Sequence, residues 1–210
     1  EVTYDEMLEM ASLGAKVLHS RCVEIAKKYG VELLVCSSLN RNSGTMVREK
    51  TKMEKMLISG VAADKNVAKI RVAGLGNDPE STFRLLNLLD RNNLNIDVMI
   101  QSLGKDGTKS VSFTVAKPDM LRTIDVLNDN KDSLGIKKLD YDENVAKISV
   151  IGAGVRSHSG VAAKMFGALA NAGINTEMIT TSEIRITALI DEAYADQAMR
   201  AIHETFLERV

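Results

Sequence analysis

The stretch NVAKI occupies residues 66–70 and returns unchanged at residues 144–148. Each copy leads into a glycine turn, VAGLGNDPES after the first copy and VIGAGVRSHSG after the second. The copies align at an offset of 78 residues, whereas the later segments LNID (94–97) and INTE (174–177) align at an offset of 80. This repeat predicts two versions of one structural module, with two additional residues in the second turn, around 155–160.

Each copy of NVAKI begins a predicted βαββαβ module. In the first module, over 66–141, a helix begins after Asp78 and Pro79, an N-cap residue and a residue suited to the first helical position. Phe83, Leu86 and Leu89 are expected to form the buried face of that helix. A strand over 95–102, the hairpin turn GKDG and a return strand follow, then a helix over 118–135 and the strand IKKLDYD.

The second module, over 144–210, lacks one strand of this pattern. Helices are expected over 160–173 and 192–206 and strands over 175–182 and 183–191, with no segment for a fourth strand after them. A bare position at a sheet edge favours pairing with another segment. We therefore expect MLISGVA (56–62) to provide the missing strand, so that the first module is inserted into the second. The alternative is a three-stranded second sheet and a separate strand in the linker.

Residues 1–45 form a third zone. Apolar spacing predicts helices over 4–13 and 15–29, the second with Val17, Leu18, Cys22, Ile25 and Ala26 along one stripe. Gly30 ends that helix, and the apolar run VELLVCSS (31–38) predicts a buried strand. The polar stretch over 38–55 is expected to be a linker.

The composition limits the classes of function. The net charge is −1 and only 4% of the residues are aromatic, which disfavours nucleic acid as a partner. No apolar run approaches the roughly 20 residues that a membrane-spanning helix needs. Cys22 and Cys36 form no CxxC motif and no His/Cys cluster, so we expect reduced thiols, no metal and a cytoplasmic location.

Three strings give the chain a resemblance to a known family. YDEMLEMASLGAKVLHSR (4–21) resembles the end of the catalytic domain of aspartate kinases, while VIGAGVRSHSGV (150–161) and ITTSEIRIT (179–187) resemble their regulatory tail of tandem ACT domains. The resemblance implies an α+β fold of two ferredoxin-like ACT modules, the first inserted into the second, preceded by a helix-helix-strand remnant of the α/β kinase domain. One departure is Ser20, where the family commonly has proline.

The resemblance also implies what the chain does. Aspartate kinases phosphorylate aspartate with ATP to 4-phospho-aspartate, and their ACT modules bind end-product lysine or threonine and inhibit the enzyme. The family's Lys-Phe-Gly-Gly-Thr-Ser string and a Walker-type loop are both absent from these 210 residues. We therefore expect ATP and Mg to bind outside this chain, no cofactor within it, and no catalytic activity of the chain alone.

The first glycine turn has the groups that an amino-acid sensor needs. Amides at a helix N-terminus suit a carboxylate, and an acidic or amide oxygen suits an ammonium group. The candidates are Asn77, Asp78, Glu80 and Ser81 in the turn and Gln101 at a strand end. The resemblance to threonine-sensing members matches Asp78 and Gln101 to effector contacts, in a pocket shared with Asn175, Thr176 and Ile179. The alternative is that Asp78 is only an N-cap.

The second turn offers a different set of side chains. The candidates are Val155, Arg156, Ser157 and His158 in the turn, Ser182 and Glu183 at the TTSE corner, and Glu177 on the strand over 175–182. Either Glu183 or Glu177 would pair with the ε-ammonium of lysine, and the resemblance to lysine-sensing members places the turn and the Ser-Glu pair in the pocket. His158 is alternatively a plain turn residue, and the corner is alternatively packing between modules.

Expected partners follow from the resemblance. They are lysine and/or threonine, a second copy of the chain in a homodimer built through the ACT modules, and the remainder of the kinase domain. Neither nucleic acid nor a membrane is expected. The alternative is a stand-alone ACT protein that binds another small molecule and acts on partner proteins.

Overall fold

The computed structural model describes residues 1–15, 17–39, 44–50 and 58–207. Contacts divide the chain into two compact units. One, here called the inner unit, is Asn66–Ala146; the other, the split unit, combines Glu1–Lys65 with Lys147–Val210. Within the described residues, no helix combines the length and the apolar character that crossing a membrane requires.

The split unit begins with a small α/β layer. Its elements are β1 (Val2–Thr3), α1 (Tyr4–Ser12), α2 (Ser20–Tyr29), β2 (Leu33–Val35) and β3 (Thr45–Arg48). Strand β3 lies between β1, which is parallel to it, and β2, which is antiparallel. The core between helices and strands consists of Val2, Tyr4, Met7, Val23, Ala26 and Val47.

Two expectations for this layer are wrong. Helix α2 starts at Ser20 and not at residue 15, because the Nδ1 atom of His19 accepts the Arg21 N–H at 3.2 Å and so caps the helix there. The buried face is shifted as a result, so that Val23 and Ala26 are buried while Val17 and Ile25 are exposed. The expected linker over 38–55 also contains a strand, β3, which fills the space between β1 and β2.

The inner unit has the predicted βαββαβ order. Its elements are β4 (Gly60–Leu75, from residue 66), α3 (Pro79–Arg91), β5 (Met99–Leu103), β6 (Lys109–Ala116), a 3-10 turn (Lys117–Asp119), α4 (Met120–Asp129), α5 (Lys131–Leu134) and β7 (Lys138–Ile151, to residue 146). The strand order β5-β6-β4-β7 places the first strand between the third and the fourth. Leu85 and Leu89 of α3 are buried, but Phe83 is 65% exposed, so the predicted helix face was wrong at that position.

The split unit closes with the second module. After the end of β7 come α6 (Gly154–Ser157), α7 (Gly160–Asn171), β8 (Met178–Thr181), β9 (Arg185–Asp191), a 3-10 turn (Glu192–Tyr194) and α8 (Ala195–Leu207). The order β4-β7-β9-β8 in this unit repeats the arrangement of the inner unit. Residues 145–151 of β7 are all buried, which includes Lys147, whose ammonium lies 3.1 Å from the Asp64 carboxylate.

Strands β4 and β7 are each longer than predicted. The separate strands expected at 56–62 and from residue 66 are one strand from Gly60, and those expected at 136–142 and from residue 144 are one strand from Lys138. The reason is that no glycine or proline interrupts either run between its two halves.

The insertion of the first module into the second remains a proposal, as do the domain boundaries at 1–45, 66–141 and 56–62 with 144–210. Met56 and Leu57 lie outside the described residues. From Ile58 onward the structure supports the proposal, because the Ser59 N–H donates to the Ile151 carbonyl at 2.7 Å and Ile58 is buried. Residues 60–65 thus belong to the same unit as the second module.

Candidate functional site

The first glycine turn leads directly into a capped helix. Asp78 Oδ1 accepts the N–H groups of Glu80 at 2.9 Å and Ser81 at 2.8 Å, and the Ser81 hydroxyl donates to Asp78 Oδ2. A Cβ atom on Gly76 would lie 2.5 Å from Asp78 Oδ2, so a side chain at that position would displace the capping carboxylate. The cap of α3 therefore depends on both Asp78 and Gly76.

These contacts also set the electrostatics of the turn. The hydrogen bond from the Ser81 hydroxyl lowers the pKa of the Asp78 carboxyl below its ordinary value, with further lowering by the Ser81 and Glu80 N–H groups. Arg84 lies 3.7 Å from Asp78 Oδ1, and the Lys109 ammonium donates to the Asp78 carbonyl at 2.7 Å. The predicted alternative role of Asp78, that of an N-cap, is thus present in the structure.

Gln101 lies beside the same helix. Its Oε1 accepts a hydrogen bond from the Thr82 hydroxyl at 2.6 Å, which connects β5 to the first turn of α3. Asn77 and Glu80 are exposed at the helix start. The structure therefore brings together the five candidates of the inner unit, and adds Thr82 and Lys109, which the sequence analysis did not single out.

The second turn is built differently. The additional residues form the short helix α6, and the Gly152 N–H donates to the Ile184 carbonyl at 2.9 Å, which places the turn beside the TTSE corner. Arg156 and Glu183 form an exposed ion pair of 3.1 Å across this junction. Ser157 Oγ and His158 Nδ1 are 2.9 Å apart. The candidates at 155–158 and at 182–183 thus lie on neighbouring segments.

A cavity of about 300 Å³ opens at the start of α7. It is lined by Ser157, His158, Ser159, Gly160, Val161 and Lys164. Ser159 occupies the N-cap position but makes no side-chain capping hydrogen bond, in contrast to Asp78 in the first turn. The sequence analysis missed Lys164, although the spacing of four residues from Gly160 places it on the same side of the helix.

Glu177 is not part of this cluster. Strand β8 pairs Met178 with Leu189 and Thr181 with Ile186. Glu177 directly precedes Met178, and this end of β8 is the one far from the TTSE corner. Glu177 and Thr181 are four positions apart, which in an extended strand corresponds to about 13 Å. Asn175 and Thr176 lie at that same remote end, and Ile179 is half-exposed on β8. Their predicted sharing of a pocket with the first module stays a prediction.

The inner unit has a surface depression, away from its glycine turn, that the sequence analysis missed. It has a volume of about 370 Å³ and is lined by Leu86, Leu89, Asp90, Asn93, Leu94, Asn95 and Ile96 at the end of α3. The repeat offset of 80 residues relates Asn95 to Asn175. Applying that offset to the candidates Asn175 and Thr176 would have identified Asn95 and Ile96.

Helix α1 contacts both segments of the second site. Glu6 Oε1 accepts the Ala153 N–H at 3.3 Å, and Arg185 donates to Glu9 Oε2 at 2.9 Å. Over residues 1–15, 17–39, 44–50 and 58–207, no group of three or more His, Cys, Asp or Glu side chains is placed to hold a metal ion.

Comparisons with known proteins place the chain in a family. A family model described as an ACT domain matches residues 148–206. The aspartokinase of Pseudomonas aeruginosa is 40% identical over 209 residues, which are 98% of this chain and 51% of that protein. The chain thus spans about half the length of the curated relatives it matches.

Solved structures agree with this. A chain in the crystal structure of aspartokinase alpha and beta subunits is 42% identical, with a TM-score of 0.67 over 71% of this chain and 98% of that one. The structure of E. coli aspartokinase III in complex with lysine and aspartate is 24% identical, a similarity of fold alone, with a TM-score of 0.76 over 98% of this chain and 45% of that one. Because the chain covers nearly the whole of a 42% identical aspartokinase subunit, it belongs to the aspartokinase family and corresponds to the regulatory region that contains the ACT domain.

Proposed function

We propose that the chain is an allosteric effector-binding region that senses lysine and/or threonine and inhibits aspartate kinase. The reaction regulated is the ATP-dependent phosphorylation of aspartate to 4-phospho-aspartate. The observation that supports this most is the pair of glycine turns, each opening a helix N-terminus, with different polar groups around them. The active site, with ATP and Mg, lies in the part of such kinases that this chain does not include, so the chain alone is expected to be inactive.

The second site has the chemistry for an amino acid with a cationic side chain. The N-cap residue Ser159 makes no side-chain capping hydrogen bond, and although the Val161 N–H donates to the His158 carbonyl at 3.2 Å, the positive end of the α7 dipole and the charge of Lys164 both favour the effector's carboxylate in this cavity. Glu183 on the neighbouring corner is exposed and would exchange its ion pair with Arg156 for one with the effector's ammonium. Lysine is the effector that this arrangement favours.

The first site suits a smaller polar amino acid. The Asp78 carboxylate, which caps the helix, is also an acceptor for an α-ammonium group. Gln101 lies beside the first turn of α3, where its Oε1 accepts a hydrogen bond from the Thr82 hydroxyl. A hydroxyl-bearing effector such as threonine would exchange hydrogen bonds with these groups. Asn175, Thr176 and Ile179 remain proposed contacts of this effector.

The region is proposed to act as a cytoplasmic homodimer built through its ACT modules. Strand β5 is an outer strand of the inner unit and β8 an outer strand of the split unit, and an outer strand favours pairing with another chain. Light scattering of the chain at micromolar concentration is expected to give twice the mass of 22.9 kDa. A monomer throughout that range would contradict the proposed assembly.

Calorimetric titration of the chain with each of the twenty amino acids tests the proposal. Binding of lysine or threonine is expected, with loss of binding in Ser182→Ala for the second site and in Asp78→Asn for the first. Asparagine keeps the capping ability but removes the charge, so a loss of binding is not a loss of the helix. Ser133→Ala, an exposed serine in α5, is the matched control. Binding of neither amino acid, with tight binding of another metabolite, would favour a stand-alone ACT sensor.

A further inference from the structure

A single buried carboxylate joins helix α1 to the second glycine turn. Glu6 is only 6% exposed. Its Oε2 accepts the Thr3 N–H at 2.9 Å and the Thr3 hydroxyl at 3.0 Å. The Glu6 N–H donates in turn to Thr3 Oγ1 at 3.2 Å, which completes the capping box at the start of α1. Glu6 Oε1 accepts the Ser59 hydroxyl at 2.6 Å and the Ala153 N–H at 3.3 Å.

The four donors come from three separate segments of the split unit. Thr3 belongs to the start of α1, Ser59 directly precedes β4, and Ala153 is the residue before α6 in the proposed effector turn. The N–H group of Ser59 also donates to Ile151 at the end of β7. If Glu6 keeps all four hydrogen bonds, a movement of the turn around Ala153 therefore also moves the start of α1.

The side chain has to be a carboxylate for this role. All four partners act as donors, and an ionised carboxylate offers two acceptor oxygens with no hydrogen of its own. A glutamine would present its NH₂ group either to the Thr3 pair or to the Ser59 and Ala153 pair. Because the N–H groups of Thr3 and Ala153 cannot become acceptors, one of these two N–H hydrogen bonds is lost with glutamine, while the hydroxyl of the same pair has to turn from donor to acceptor.

We infer that Glu6 is a positioning residue that makes the start of α1 and the effector turn open and close together. It is thereby one route, beside the Arg185–Glu9 ion pair, from a ligand in the second site to the segment that resembles the end of the kinase domain. The regulatory meaning rests on the proposed function, while the coupling itself is a property of the chain without effector. Coupling between two segments is reciprocal, so a perturbation of either end is felt at the other.

Amide hydrogen exchange of the chain without effector, followed by NMR, tests this. In Glu6→Gln, exchange is expected to be about 10-fold faster or more both at Ala153 and within α1, since hydrogen bonds to a charged group are lost. Asp5→Asn is the matched control, because it removes a carboxylate from the same helical turn but one that contacts Lys27 instead. That control should leave Ala153 unchanged.

A second variant keeps the test valid if Glu6→Gln does not fold. Ser59→Ala removes one hydrogen bond from the turn side of the carboxylate, and faster exchange within α1 is the expected result. Unchanged exchange at Ala153 in Glu6→Gln, or within α1 in Ser59→Ala, would overturn the inference. Calorimetry with lysine and threonine on the unaltered chain separates effector binding from the coupling through Glu6. Absence of binding would contradict the proposed function, but it would not affect the exchange result.

Discussion

Gly14, between α1 and α2, is a position where a single added methyl group should be strongly destabilising. Its φ is +98°, and a Cβ atom there would lie less than 3 Å from the carbonyl oxygen of Ala63 and close to Asp64. Both neighbours are backbone atoms of β4, which have no freedom to move aside. Gly14 belongs to the string ASLGAKVLH, so this close approach gives a physical reason for a glycine in that string.

The expected cost of Gly14→Ala has two parts. A non-glycine residue in such a sparsely populated region costs about 1–3 kcal/mol. Forcing a methyl group into occupied space costs about 1–3 kcal/mol more. Gly30→Ala is the matched control, because Gly30 also has a positive φ, +66°, but nothing lies within 4 Å of its Cβ position. Its cost is about 1–2 kcal/mol, from the left-handed conformation alone.

Urea unfolding of both variants, followed by circular dichroism, measures the difference. The loss of unfolding free energy in Gly14→Ala should exceed that in Gly30→Ala by about 2 kcal/mol. The reduced entropy of the unfolded chain is the same for both glycine-to-alanine changes and cancels in the comparison. Equal costs in the two variants would refute the close approach of the turn to β4.

Three further outcomes are expected. Asp64→Asn should cost about 3–5 kcal/mol of unfolding free energy, because it removes a charged partner of the buried Lys147, and adding Lys147→Met should recover most of it in the same urea assay. The pKa of the Asp78 carboxyl is lower in the folded chain than its unfolded value near 4, so the charged carboxylate stabilises the fold above that pH. This stabilisation should be lost as the pH falls through the lowered pKa. A pH titration of thermal unfolding should therefore show a smaller loss of stability in Asp78→Asn than in the unaltered chain. Leu85→Ala, in the core of the inner unit, should cost about 2–5 kcal/mol in urea unfolding.

The repeat was the strongest source of information about the fold. NVAKI and the glycine turns are local features whose geometry depends on a few residues, and the βαββαβ order follows from them. What the sequence did not reveal is decided by tertiary contacts. Strand β3 forms inside a polar stretch because it pairs on both sides, and α2 begins at Ser20 because His19 caps it, a less common capping residue than serine or aspartate.

The candidate site was predictable to the extent that it lies on one segment. The turn residues 77–81 and 155–158 were found because they directly follow the repeated strand. Thr82 and Lys109 were missed because their contacts with Gln101 and Asp78 depend on how the strands pair, which periodicity does not give, whereas the helical spacing of Lys164 from Gly160 could have indicated that residue. Glu177 was included because it lies on the strand next to the corner, but the strand direction places it at the remote end.

The unequal turns have a consequence for how the two sites would respond. In the first turn Asp78 already occupies the helix N-terminus, so an effector has to compete with an internal ligand or bind to the outer side of the cap. In the second turn the N-cap residue of α7, Ser159, makes no capping hydrogen bond, and Glu6 accepts the backbone N–H of Ala153, directly before α6. An effector in the second site would therefore act on a turn that is already connected to α1, whereas an effector in the first would act on a turn stabilised within the inner unit. The two copies of one scaffold thus give two candidate sites with different connections to the rest of the chain.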